Sequence, residues 1–231
     1  KSYKPIIDKT LDYLHKHNSI FIGNTPITKF KIKNNKIINI MSKNKKIKID
    51  VKEKVVSTLP LFVTKKLFKT NKLKYLNKFN GVGVLVCIFK SKIKLSDDYW
   101  TTISDEKLLF NAVIQQNRLF ALSKEEIIYT SKYLSPDDKI LKLNSNKISN
   151  LIFSQMSDIF SKFNYKDVID FKIFKSLSAA PTPTIRSITN LPKFKSPLNN
   201  FWHGGLEYIY PEDRGVGNSI AISNKIFKEI I

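Results

Sequence analysis

Cysteine is almost missing from this 231-residue chain: Cys87 stands alone. A lone thiol excludes an internal disulfide and fits a reducing compartment. It lies in the apolar run Gly81-Val-Gly-Val-Leu-Val-Cys-Ile-Phe89, a setting that favours core packing over chemistry. Histidine is nearly as scarce. His15, His17 and His203 have no Cys or carboxylate companions at metal-ligand spacing, so no metal site is expected. No apolar stretch approaches the roughly 20 residues of a membrane-spanning helix. The longest, Val82 to Phe89, suits a buried strand. No signal peptide is visible, and a cytoplasmic location is the expectation. The chain opens at Lys1 in mid-pattern, which predicts an N-terminal part before it.

Arginine is the third shortage. The formal charge is +21, yet the only arginines are Arg118, Arg186 and Arg214. A strongly basic balance points toward nucleic acid. Arginine, however, is the better bidentate reader of phosphates and base edges, and its scarcity weighs against such a surface. Solvated lysines on a globular surface are the plainer reading. The 42% hydrophobic content at this length supplies a sizeable core.

Residues 4–17 read as a helix with Ile7, Leu11 and Leu14 on one face. A β region follows. Phe30 and Ile32 alternate with lysines, and Lys33-Asn34-Asn35-Lys36 supplies a tight turn, since Asn tolerates the left-handed conformation. Ile38 and Ile40 continue a second strand, and Ile47, Ile49 and Val51 a third, forming a meander with one wet face. Val55-Val-Ser-Thr-Leu-Pro60 reads as a short strand buried on both faces that rejoins a larger sheet. Further strands are expected at 82–90, 108–115, 126–133 and 168–177. The best helical period runs from Ile148 through Ile152 and Ile159 to Phe163, with N-cap candidates at Asn144 to Asn146. Residues 179–200 are Pro-rich and irregular. A strand-like stretch at 201–209 leads to a final helix ending at Ile231.

The most informative segment is Asp213-Arg214-Gly215-Val216-Gly217-Asn218-Ser219. Two glycines permit close ligand approach, and Asn218 or Ser219 could cap the helix that follows. Free amides at a helix start make an anion site, with Arg214 adding a charge. The local residues fit a structural loop before an ordinary capped helix equally well. Neither Gly81/Gly83 nor Gly215/Gly217 completes G-x-G-x-x-G, so the chain carries no dinucleotide fingerprint. Paired carboxylates at 97–98, 125–126 and 137–138 read as solvated turns or helix starts. Asn111, Gln115, Gln116 and Asn117 either face a polar ligand or mark a strand end.

Taken in order, several segments resemble the C-terminal half of FAD-dependent amine oxidase-like flavoproteins. That group includes protoporphyrinogen oxidases, carotenoid desaturases and UDP-galactopyranose mutase-like proteins. Thr25-Pro-Ile-Thr-Lys-Phe-Lys-Ile32 resembles their hairpin strand. Val55-Val-Ser-Thr-Leu-Pro-Leu61 is similar to the strand after which the chain enters the substrate domain. Phe110 to Asn117 and Ile128 to Tyr133 resemble paired strands of that domain, and Ala179-Ala-Pro-Thr-Pro183 the way back out. Gly204 through Ser219 resembles the closing FAD-contacting strand and helix start, although Gly204-Gly205 stands where relatives often carry Gly-Arg or Gly-Asp.

The resemblance implies an α/β (α+β) fold. Residues 1–62 and 198–231 would form the remnant of an FAD-binding lobe with a β-meander, and 63–197 a mixed-sheet substrate domain. It implies FAD as cofactor, contacted by Gly204, Gly205, Arg214, Gly215, Val216, Gly217, Asn218 and Ser219, and a small-molecule substrate near Asn117. No catalytic acid or base is named, because the flavin carries the chemistry. The family's Gly-rich FAD motif precedes residue 1, so this chain alone is expected to be inactive. The alternatives are a redox-neutral flavin-dependent nucleotide-sugar mutase and a basic nucleic-acid-binding module.

The arginine shortage yields a first prediction. DNA and RNA should bind weakly and without sequence preference, in a manner abolished by salt. A salt-titrated binding assay checks this; sub-micromolar, sequence-dependent affinity at physiological salt would contradict it.

Overall fold

A computed structural model describes residues 3–69, 71–120 and 123–231. Lys1 and Ser2, at the head of the first expected lobe, lie outside the described residues. The chain runs α1 (Lys4–Lys16), β1 (Ile27–Lys33), β2 (Lys36–Ser42), β3 (Lys46–Lys48), β4 (Val55–Ser57) and the single turn α2 (Leu61–Thr64). It continues through β5 (Gly81–Ser91), β6 (Trp100–Thr102), β7 (Ala112–Gln115), α3 (Gln116–Leu119), β8 (Glu126–Leu134) and α4 (Ser145–Ile159). Last come β9 (Val168–Pro181), α5 (Ile185–Thr189), β10 (Phe201–His203) and α6 (Val216–Ile230). Helices and sheets together make the expected α+β class, and the chain divides into two compact units.

One unit is Val82–Ala179. Its five-stranded sheet has the order β6-β7-β8-β5-β9. β5 buries alternate residues, as a strand with one core face must. Leu85, Cys87 and Phe89 meet Val113, Ile128 and the α4 residues Ile148, Ile152, Phe153 and Met156 in one cluster. Phe153 packs edge-on to Phe89 at 5.2 Å and to Phe171 at 5.7 Å. α4 lies where its period places it, with Ile148 and Ile152 buried as expected, while Leu151 and Ile159, expected on the same face, are exposed. Asn144 caps it by accepting from Lys147 N at 2.9 Å, but the helix stops at Ile159, and Phe163 packs from the following turn. Burial pushes the Cys87 thiol up to about 12, in keeping with a packing role. Gly83 is also structural: a Cβ there would sit 2.9 Å from the Ser176 carbonyl.

The other unit joins residues up to Gly81 with Ala180–Ile231. Residues 63–81 and 180–197 therefore group with this unit. Its meander β1-β2-β3 is antiparallel, and Asn34 (φ 48°) and Asn35 (φ 61°) form the left-handed turn that the sequence called for. β3 is shorter than expected, and Val51 is 79% exposed in the turn beyond it. Val55 to Ser57 form only a two-stranded parallel pair with Phe201 to His203, so the larger sheet is not seen here and Val56 is 42% exposed. Phe30, Phe68 and Phe201 stack within 4.7–5.9 Å at the core. Asn200 ties the two chain segments together. Its buried amide accepts from Ile37 N at 2.8 Å and donates to Ile37 O at 2.9 Å, standing in for a strand neighbour.

Phe153→Ala should cost about 3–5 kcal/mol, because a fully buried ring leaves a cavity that its rigid sheet partners cannot fill. A shift of the urea midpoint with unchanged slope checks it.

Candidate functional site

Parallel pairing of β4 with β10 brings Ser57 and His203 to matching ends of two strands, and Gly204 N donates to Ser57 O at 2.9 Å. The next two glycines are demanded by packing. A Cβ on Gly204 would overlap Ile226 Cδ1 of α6. One on Gly205 would lie 2.6 Å from the Leu59 carbonyl and 2.7 Å from Pro60 Cα. Both positions were read as cofactor contacts; the structure gives each a steric reason within the fold itself.

Gly215 and Gly217 differ. Gly215 is the N-cap of α6, with extended backbone, and Gly217 lies in its first turn. Neither has a positive φ. A Cβ on Gly217 would meet no protein atom within 4 Å, and one on Gly215 only Asp213 Oδ2 at 3.7 Å. Glycine in a helix costs about 0.5–1 kcal/mol relative to alanine. The fold gives no return for that cost at Gly217. Asn218 and Ser219 do not cap α6, because the helix begins two residues earlier than expected. Asn218 Nδ2 donates to Asp213 O at 2.8 Å, and Ser219 Oγ donates to Gly215 O at 3.1 Å. Their side chains fold back onto the preceding loop. What remains at the start of this 15-residue helix is backbone amides, the positive end of the dipole, and a side-chain-free approach flanked by Arg214. These residues fit an anionic group such as a dinucleotide pyrophosphate.

A second constellation escaped the sequence reading. His203 is fully buried, with Nε2 at 2.7 Å from Tyr75 Oη and Nδ1 at 2.7 Å from Tyr208 Oη. A neutral imidazole offers one donor and one acceptor. The directions close if Tyr75 donates to Nε2, Nδ1–H donates to Tyr208, and Tyr208 donates onward to Lys193 O at 3.5 Å. Burial holds the His203 pKa down to about 4 and raises both tyrosine pKa values. Tyr75 also lines an open cavity of about 360 Å³ with Pro192, Lys193, Lys195, Ser196 and Pro197. Lys195 stacks over the Trp202 ring at 3.4 Å and donates to Asn199 O. Nearby, Glu207 Oε1 accepts from Leu61 N at 2.7 Å; burial raises its carboxyl pKa, and backbone N–H groups at the start of α2 pull the other way. The sequence signal for this group was slight: one histidine in an apolar strand, with its partners far along the chain.

Asn117, read as a substrate contact, spends its amide locally. Nδ2 donates to Ser123 O and Glu125 O, and Oδ1 accepts from Ile127 N. Gln115 is buried and stitches the 95–98 loop, accepting from Leu95 N and donating to Asp98 O. No group of His, Cys, Asp and Glu suited to a metal ion occurs among the described residues. Nor is any described helix long and apolar enough to cross a membrane.

No family model and no curated protein matches this chain by sequence. Solved structures do resemble it in fold. A protein described as a protoporphyrinogen oxidase, from Exiguobacterium sp. 255-15, superimposes with TM-score 0.69 at 10% identity over 89% of this chain and 46% of that one. Putrescine oxidase bound to putrescine gives 0.62 at 8% identity over 90% of this chain and 48% of its own. Reduced UDP-galactopyranose mutase gives 0.57 at 12% identity over 76% and 39%. The chain therefore spans about half the length of the first two structures it resembles.

Two predictions follow from the glycines and the histidine. Gly204→Ala should destabilise by about 1–3 kcal/mol through overpacking against Ile226. Gly217→Ala should stabilise by up to about 1 kcal/mol, since the added methyl meets nothing and stiffens the unfolded chain. Urea unfolding of both variants decides the pair; a loss at Gly217 would contradict the geometry. For His203, the folded pKa lies below the ordinary value of 6.5. As pH falls from 6.5 toward 4 the unfolded chain takes up a proton that the folded chain refuses, and stability drops by about 3 kcal/mol before levelling. In His203→Gln that portion of the acid sensitivity should vanish. Unfolding measured at pH 7, 5.5 and 4 checks it, and an equal gap between variant and wild type at every pH would count against it.

Proposed function

We propose that this chain is the C-terminal half of an FAD-dependent oxidoreductase of the amine oxidase-like group, acting on a small-molecule substrate. Residues up to Gly81 with Ala180–Ile231 would be the FAD-contacting lobe, and Val82–Ala179 the substrate domain. The observation that carries the reading is Gly217: a helix-start glycine that neither backbone conformation nor packing explains, on a fold like that of flavoenzymes. Close approach of a ligand explains it. Backbone amides of Val216, Gly217 and Asn218 would hold an anionic group of the cofactor, with Arg214 alongside. Gly204 and Gly205 act one step removed, setting the distance of α6 from β10 and of β10 from Leu59-Pro60. When bound, the flavin supplies the two-electron chemistry, and the protein supplies position and electrostatics. The likeness to UDP-galactopyranose mutase is lower in TM-score and in coverage, so the oxidoreductase reading stands first.

In the protein at its natural length, Gly217→Val should lower flavin occupancy several-fold while leaving the unfolding midpoint near that of wild type. Arg214→Ala should act more mildly, because the helix amides still hold the anion. Flavin absorbance per protein is the readout; unchanged occupancy in Gly217→Val would refute the contact. The 231-residue chain alone should purify without yellow colour.

A further inference from the structure

The lysines are not shared evenly between the two units. Residues 82–179 carry 14 Lys and Arg against 11 Asp and Glu. Residues 13–81, all in the other unit, carry 17 lysines, no arginine and two acidic residues, Asp50 and Glu53. A compositional bias of the whole chain would load both units alike. The excess is concentrated instead in the stretch that holds the β1-β2-β3 meander.

Cross-strand partners point to one face of a sheet. Lys29, Met41 and Lys46 make one such row, and Lys31, Asn39 and Lys48 the next. The row between them, Phe30, Ile40 and Ile47, faces the opposite way, with Phe30 and Ile40 in the unit's core. Four lysines therefore stand on the outer face, as two pairs across the central strand. With strands about 4.8 Å apart and a rise of about 3.4 Å per residue, they mark the corners of a rectangle of roughly 10 by 7 Å. Lys33 extends the patch at the Asn34-Asn35 turn, and Lys43 and Lys45 extend it at the turn into β3; all three are exposed. Among the described residues none of these seven lysines has a carboxylate partner. Asp50 and Glu53 lie beyond the end of β3, where Glu53 Oε2 accepts from Asp50 N at 2.6 Å. Unpaired ammonium groups are seldom buried, so this face stays in solvent whatever else packs on the unit.

We infer that the outer face of the meander is an electrostatic docking surface for a lipid bilayer rich in anionic headgroups. Lysine is a point charge that binds without fixed geometry. Reading single phosphates or bases calls for arginine forks or stacking aromatics, and this face has neither. Such a face responds to charge density over an area, which is what an anionic leaflet offers. The inference needs no flavin and stands apart from the proposed function.

Lys29→Gln, Lys31→Gln, Lys46→Gln and Lys48→Gln are combined in the protein at its natural length. A matched variant combines Lys139→Gln, Lys142→Gln, Lys162→Gln and Lys166→Gln, four exposed positions of the other unit. None of the eight lysines is buried, so both variants should keep the wild-type urea midpoint. Binding is read by co-sedimentation with vesicles of one part phosphatidylglycerol to two parts phosphatidylcholine, at physiological salt, where distant charges are screened. Wild type should sediment with these vesicles and not with pure phosphatidylcholine. Each lysine at an anionic leaflet is worth about fivefold in partitioning, so the meander variant should lose at least about 30-fold and the matched variant less than about threefold. Equal losses in the two variants would overturn the inference. So would wild type that stays in the supernatant, or that sediments equally with neutral vesicles. Tighter binding to duplex DNA than to the anionic vesicles, at equal phosphate, would overturn it as well.

Discussion

Three residues of β10 lying parallel to three of β4 hold the described site together. The strands come from opposite ends of the chain, and everything between them forms the crossover that a parallel pair requires. Closing so long a loop costs little more than closing a short one, since the entropy grows only logarithmically with length. The return is local and dense. Phe201 joins the aromatic cluster of the meander, Asn200 bonds both backbone groups of Ile37, and His203 is delivered between Tyr75 and Tyr208. With no disulfide available and exposed ion pairs such as Lys4–Asp8 worth little, these buried contacts carry the cohesion of the unit.

The glycines sort into two kinds once the pairing is in place. Gly81, Gly83, Gly204 and Gly205 each face atoms that a methyl group would strike. They let a strand or helix approach more closely than any side chain allows. Gly217 faces nothing of the protein, and its backbone is helical. Packing thus accounts for the residue type at those four positions and not at Gly217. Position in sequence could not separate these cases, because the atoms that decide them belong to residues remote in the chain.

That remoteness marks the line between what was legible in the sequence and what was not. The Asn34-Asn35 turn, the alternation of β5 and the period and cap of α4 depend on neighbours a few residues away, and each is where its pattern puts it. The full extent of the third strand and the double burial of Val55 to Pro60 depend on partners elsewhere, and neither is as expected. Asn218 and Ser219 failed as caps for a local reason: α6 begins at Val216, so they lie inside its first turn. The network of Tyr75, His203 and Tyr208 was invisible because each member alone looks like an ordinary core aromatic or a solitary histidine.

The state of His203 also limits what that network can contribute. Both ring nitrogens are engaged at 2.7 Å, and burial keeps the imidazole neutral through the physiological range. Proton exchange with a substrate would require Tyr75 or Tyr208 to give up its hydrogen bond and the ring to charge in a dry site, which is costly. Two phenols with raised pKa values are equally poor proton carriers. The network therefore fixes geometry: it locks the end of β10 against the 71–78 turns and the 206–208 turn, and so sets where Gly204 and α6 begin their course.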